Sequence, residues 1–264
     1  MNAMKTMPLV TALAVLLVLA LVEPVAPCAE VPAPSAPAPP AGEAKAPADG
    51  GAPAATPQEL DRFLAAWAEA MKDLKTLELR FHQEKKLKIL RRPLLSRGTI
   101  LFSMADKKIR CTVLGPDDKP ESDLVAGEGT VRILYPGLKK LEIYDLGTGA
   151  AAPMAFPGIG GDVGALQRDY TMRLERTGSG DRLTLVPRDA ASPIRELRLV
   201  LKDFAVKELY QADATGGSVR LTVDEFHKNP ALAPGSLDLA VPPGTEEVRP
   251  LGAKKQAGPA KSGE

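Results

Sequence analysis

From Leu77 to Phe102 the chain alternates apolar and polar positions with a period of two. Leu77, Leu79 and Phe81 stand between Glu78, Arg80 and His82, and a second apolar run, Ile100-Leu101-Phe102, follows a basic turn containing Pro93 and Gly98. This pattern predicts a long hairpin with one buried face. Shorter strands are predicted over Lys108 to Leu114, Asp123 to Ala126, Thr130 to Tyr135 and Lys140 to Tyr144, with turn signals at Gly115-Pro116-Asp117-Asp118, Gly127-Glu128-Gly129 and Pro136-Gly137. Further strands follow over Tyr170 to Arg176, Arg182 to Pro187, Ile194 to Leu201, Val206 to Ala212 and Ser218 to Phe226. Short strands spaced this regularly indicate an antiparallel meander, not parallel crossover units.

Ahead of the strands the period changes. Leu60, Phe63, Leu64, Trp67, Met71, Leu74 and Leu77 recur at helical spacing behind Thr56-Pro57-Gln58-Glu59, where Thr caps, Pro suits the first turn and Glu completes a capping box. The spacing predicts a helix over 57 to 75 with one wide apolar stripe carrying the single tryptophan. Such a helix packs on a sheet or forms a lid whose underside also meets a ligand, and the two readings are compatible.

The remaining segments lack either period. Lys5 precedes an apolar run from Pro8 to Val22, broken by Glu23-Pro24, so residues 1–29 read as a secretory signal leading to the periplasm. The signal ends in one of two ways: cleavage near Cys28, or lipidation of Cys28 behind the imperfect lipobox Val25-Ala26-Pro27. Residues 30–56 are a Pro/Ala/Gly-rich linker, 57–251 the folded domain and 252–264 a loose polar tail. The Gly/Ala/Pro-rich stretch 147–168 interrupts the strands and is either a mobile apolar flap or a plain connecting loop, with short helices expected near its end.

Composition narrows the chemistry. Lys and Arg total 34 against 33 acidic residues, which gives no argument for nucleic acid as a partner. Two histidines and two cysteines leave little for catalysis or metal binding. His82 falls on the polar phase of its strand and His227 near a strand end, neither with a second ligand at metal-site spacing. No G-x-S-x-G, H-E-x-x-H or C-x-x-C occurs. Gly158-Ile159-Gly160-Gly161-Asp162-Val163-Gly164 has the wrong spacing for a phosphate loop, and Cys111 reads as a small apolar wall residue. No enzyme, metal or cofactor is expected.

The order of motifs is more specific than any one of them. Phe81-x-Gln83, basic residues, Leu87-x-Ile89, then Arg92-Pro93-Leu94-x-Ser96-x-Gly98-x-Ile100-x-Phe102 resembles the opening strands of the periplasmic outer-membrane lipoprotein carrier family (LolA-like). The likeness continues through Val125-x-Gly127-x-Gly129 to Tyr135-Pro136, through Asp213-Ala214-Thr215-Gly216, and through Asn229 to Leu237-x-Leu239-x-x-Pro242-Pro243-Gly244, spanning about residues 58 to 250. It implies a mainly β fold: an incomplete antiparallel barrel covered by the amphipathic helix and short inserted helices. It also implies a monomeric, non-enzymatic carrier that shields the acyl chains of lipoproteins or a related lipid in an apolar cavity, loaded by an inner-membrane ABC-type complex and unloaded at an outer-membrane receptor. A membrane-tethered receptor or envelope-stress sensor, anchored through Cys28, is the alternative. Where the family has an arginine thought to latch the lid, Met104 stands here, and the latch is in doubt.

For a carrier of this kind the phases of helix and strands select a lining of Phe63, Trp67, Met71, Leu79, Phe81, Ile100, Phe102, Ile109, Cys111, Ile133 and Ile143, with Met154 and Phe156 from the flap. Lys85, Lys86, Lys88, Arg91 and Arg92, with Arg97, crowd one hairpin turn. They are either a solvated turn that discourages edge pairing or a docking surface for an anionic partner or lipid headgroups.

Overall fold

A computed structural model describes residues 54–145 and 163–250. The chain begins with helix α1 (Pro57–Met71). Strands β1 (Thr76–Lys86), β2 (Leu94–Ser103), β3 (Lys108–Leu114), β4 (Pro120–Gly127), β5 (Thr130–Tyr135) and β6 (Lys140–Asp145) follow. After helix α2 (Val163–Asp169) come β7 (Tyr170–Thr177), β8 (Gly180–Pro187), β9 (Ile194–Lys202), β10 (Ala205–Asp213), β11 (Ser218–Lys228) and the short β12 (Glu246–Val248). The twelve described strands form one sheet in the order β12-β6-β5-β4-β3-β2-β1-β11-β10-β9-β8-β7. Because β7 and β12 end the order without pairing to each other, the sheet stays open. This is the half-open, mainly antiparallel barrel that the family resemblance implies.

Two departures from the sequence reading, and one turn that it leaves undescribed, mark the fold. Helix α1 stops at Met71, not residue 75, and the chain turns through Leu74 N–H donating to Met71 C=O at 3.1 Å before entering β1. The sheet is not wholly antiparallel: β12 pairs parallel to β6, because residues 230–245 cross from the end of β11 and arrive from the other direction. The turn is that between β9 and β10, Asp203-Phe204, where both residues take left-handed backbone (φ 52° and 61°) without the usual glycine.

Register explains the bend of the sheet. Around Arg80 and Phe81 the β1–β11 pairing slips, so that Phe81 faces Val223 and Arg80 faces Glu225. A bulge of this kind adds local twist and curvature. On the β2 side, Phe81 faces Gly98, where a side chain would meet Thr112 O at 2.2 Å and the Phe81 ring at 2.7 Å. Only glycine lets the ring lie across the strand here.

The two faces of the sheet are covered differently. On the concave face the inward phases of β1–β5 and β7–β11 join α1 in one buried apolar cluster that includes Leu77, Leu79, Phe102, Leu183, Leu199 and Leu221. On the convex face of β3–β6, residues 233–241 lie as a strap. There Leu239 and Val241 pack on Leu134, Leu141 and Ile143. Arg110 holds Asp123 through two bonds (2.9 and 2.6 Å) and donates to Ser236 C=O at 2.9 Å.

Candidate functional site: the roofed concave face

Helix α1 is the roof. Its capping box forms as the sequence predicts: Thr56 N–H donates to Glu59 Oε2 at 2.7 Å, and Glu59 N–H donates to Thr56 Oγ1 at 3.3 Å. The Thr56 N–H, together with the Thr56 hydroxyl donating to the same oxygen at 2.9 Å, holds the Glu59 carboxyl below its ordinary range. Phe63, Leu64 and Trp67 are the helix's buried side chains, with Leu60 and Met71 half-buried against the same cluster. The Phe63 ring lies 6.3 Å from Trp67 and 5.8 Å from Phe204, centroid to centroid. Phe204 is thus a contact of the roof that sequence phase does not reveal. Its left-handed backbone, costly for an aromatic residue, is what aims the ring at α1.

Polar bonds tie both ends of the roof. Ala55 N–H donates to Leu174 C=O at 2.9 Å, joining the chain before α1 to edge strand β7, and Gln167 from α2 donates to Asp61 at 3.0 Å. At the other end Lys228 Nζ donates to Ala70 C=O at 2.6 Å. Asn229 accepts from Lys75 and Thr76 N–H at 2.7 and 3.3 Å through Oδ1, and donates to Asp73 C=O at 2.9 Å through Nδ2. Between the ties the contact is apolar. Met104, at the place of the family's arginine, lies exposed in the β2–β3 turn, where its backbone N–H donates to Lys75 C=O at 2.8 Å.

Under the roof the structure gathers Phe63, Trp67, Leu79, Phe81, Ile100, Phe102, Ile109, Cys111 and Ile133 into one cluster with Met71 at its margin. Each of the nine is 7% exposed or less, so the apolar cavity that the resemblance implies is instead filled by these side chains, which touch one another and the helix. Burial pushes the Cys111 thiol up to about 12, with the Asp123 charge adding to the effect. Val113, Leu124, Ala126 and Leu64 belong to the same cluster, although the sequence reading did not select them. Two polar atoms in this region, Trp67 Nε1 and Gln83 Oε1, are buried with no hydrogen-bond partner among the described residues. Met154 and Phe156, like Cys28, lie outside the described residues.

Two expected site residues are corrected. Ile143 is not under the roof: its partner in register is Arg132, and it packs with Leu141 and Leu134 on the convex face beneath the strap. The inward positions of β6 are instead Glu142 and Tyr144, which face Ile133 and Val131 of β5 in register. Tyr144 donates to Glu142 Oε2 at 2.8 Å and Lys140 to Oε1 at 2.7 Å. Burial, with the Glu142 charge beside it, pushes the Tyr144 hydroxyl up to about 12.

Lys85 is the second correction. It is 4% exposed and shares the inward phase of Phe81 and Gln83, so it is not part of the exposed basic turn. With Gln211, Asp213 and Ser218 it lines a small recess at one end of the concave face. Lys86, Lys88, Arg91 and Arg92 are exposed as expected.

The groups able to do acid–base work lie apart. His82 meets Asp224 at 2.9 Å and His227 meets Glu225 at 3.1 Å, both on the surface. Among the described residues no three His, Cys, Asp or Glu side chains stand together as a metal site.

No family model matches the sequence, and no curated protein matches it. Solved structures do. The chain is similar to an uncharacterised conserved protein from Thermus thermophilus, at 16% identity over 72% of this chain and 99% of that one, with a TM-score of 0.45. It is also similar to an outer-membrane lipoprotein-sorting protein domain from Vibrio parahaemolyticus (10% identity, 67% and 95% covered, TM-score 0.38). A third is a LolA superfamily protein from Nitrosomonas europaea (13% identity, 66% and 94% covered, TM-score 0.38). The open sheet and its helical roof rest on the chain's own hydrogen bonds and burial.

Proposed function

We propose that the protein is a non-enzymatic periplasmic carrier that takes the acyl chains of lipoproteins, or of a related lipid, between α1 and the concave face of the sheet. The observation that carries this reading is the construction of the roof: a single helix tied at its ends by polar bonds and held in between by apolar contact alone. Phe63, Leu64 and Trp67 together represent about 5–9 kcal/mol of apolar burial. A chain of about sixteen carbons, at about 0.8 kcal/mol per methylene, offers about 12 kcal/mol, more than those three side chains give up. Helix and acyl chain therefore compete for one surface with the chain favoured, so cargo is admitted by displacing the helix and is released when an acceptor takes the chain and the helix returns. A ligand carbonyl oxygen reaching the buried Trp67 N–H would give that donor an acceptor. Loading by an inner-membrane extraction complex and delivery to an outer-membrane receptor are the partners that suit such a shuttle.

The single tryptophan makes the test direct. Acyl chains brominated along their length should quench Trp67 emission in a saturable way, and native mass spectrometry of protein purified from the cell envelope should find lipid or lipoprotein bound. Protein that leaves the envelope without lipid, and whose Trp67 emission is indifferent to brominated chains, would overturn the reading.

A further inference from the structure

The tip of the β1–β2 hairpin is built unlike the rest of the surface. Ile89 is 86% exposed, Leu95 66% and Leu90 42%, so three of the large apolar side chains left exposed among the described residues fall within seven positions. Lys86, Lys88, Arg91, Arg92 and Arg97 surround them. Lys86 meets Glu84 at 3.1 Å and Arg97 pairs with Asp118, whereas no ion pair with a described residue is recorded for Lys88, Arg91 or Arg92. The excess of cations is local, since the chain as a whole is nearly neutral.

Geometry removes the bland explanation. Charges protect exposed edges, but β1 lies mid-sheet between β2 and β11, and the edges are β7 and β12. The tip also overhangs its neighbours: β3 pairs β2 only as far as Arg97, β11 pairs β1 as far as Lys86, and the hairpin continues through the Leu87–Leu90 turn. Exposed aliphatic side chains encircled by cations suit the boundary between lipid headgroups and acyl chains.

We infer that residues 87 to 95 dock the protein on a bilayer surface rich in anionic phospholipid, with Ile89, Leu90 and Leu95 entering the interface and Lys88, Arg91 and Arg92 pairing with phosphates. This inference does not depend on what the concave face carries. It also gives Lys88, Arg91 and Arg92 one task.

The experiment is flotation of the full chain, purified from its envelope, with phosphatidylcholine vesicles lacking or containing phosphatidylglycerol. The wild type should float with anionic vesicles and lose that binding as salt rises. Combined Lys88→Glu, Arg91→Glu and Arg92→Glu should weaken flotation on the order of 100-fold or more. Combined Ile89→Asp and Leu90→Asp should also weaken it by at least about tenfold with every cation in place. An environment-sensitive dye on Ile89→Cys should shift to the blue on the same vesicles. Thermal midpoints equal to the wild type's confirm that the variants fold. Equal flotation with neutral vesicles, apolar or charge variants that float like the wild type, or a dye that stays in water would each overturn the inference.

Discussion

At Gly98 a strand is held open for one aromatic ring. A Cβ there would meet Thr112 O at 2.2 Å and the Phe81 ring at 2.7 Å. Gly98→Ala should therefore cost about 1–3 kcal/mol, read as a lower urea midpoint with an unchanged slope. Trimming the ring as well, with Phe81→Leu, should not restore stability, since the closer contact is with backbone that cannot swing away. Lys85 makes a different point. The alternation of β1 places it with Phe81 and Gln83 on the inward phase, yet its charge and its neighbours argue for the turn. Phase prevails over residue type because a strand cannot turn one side chain to the other face without disturbing all the rest.

Helix α1 matters through its attachments more than through its intrinsic propensity. Its cap fixes where it starts, and its stripe fixes which side is buried, both plain in the sequence. Its C-terminal tie is not: Asn229 lies more than 150 positions away in sequence from the backbone atoms it binds. Asn229→Ala removes three side-chain bonds and should lower stability by about 1–2 kcal/mol. If that tie restrains the roof, the variant should also speed alkylation of Cys111, identified by peptide mass, by about 5- to 30-fold. In the wild type the thiol is buried beneath the roof and pushed up to about 12, so labelling requires opening. An unchanged labelling rate would show that α1 opens independently of this tie.

Across the molecule one sheet serves two cores. The concave core is roofed by a helix, and the convex one is covered by the strap that leads into β12. The strap's polar fastening is Arg110, whose removal leaves Asp123 with a bond from Thr112 and frees the Ser236 carbonyl. Arg110→Ala should cost about 2 kcal/mol, less than for a fully buried pair because the Arg110 side chain keeps 24% of its surface exposed. Amide exchange should quicken in residues 233–248 before it quickens in β1. Uniform acceleration across the sheet would instead mean that strap and sheet open as one unit.

Much of this architecture is already written in the alternation of the chain. The strands, the capped helix and the grouping of residues onto shared faces all follow from local periods of two and 3.6. A period tells which residues face the same way, but not what lies on that side. Leu141 and Ile143 alternate as clearly as Leu79 and Phe81, yet one pair is buried under the strap and the other under the helix. That choice, like the parallel entry of β12 and the reach of Phe204 to Phe63, depends on segments distant in sequence. It is settled only when the folded chain brings them together.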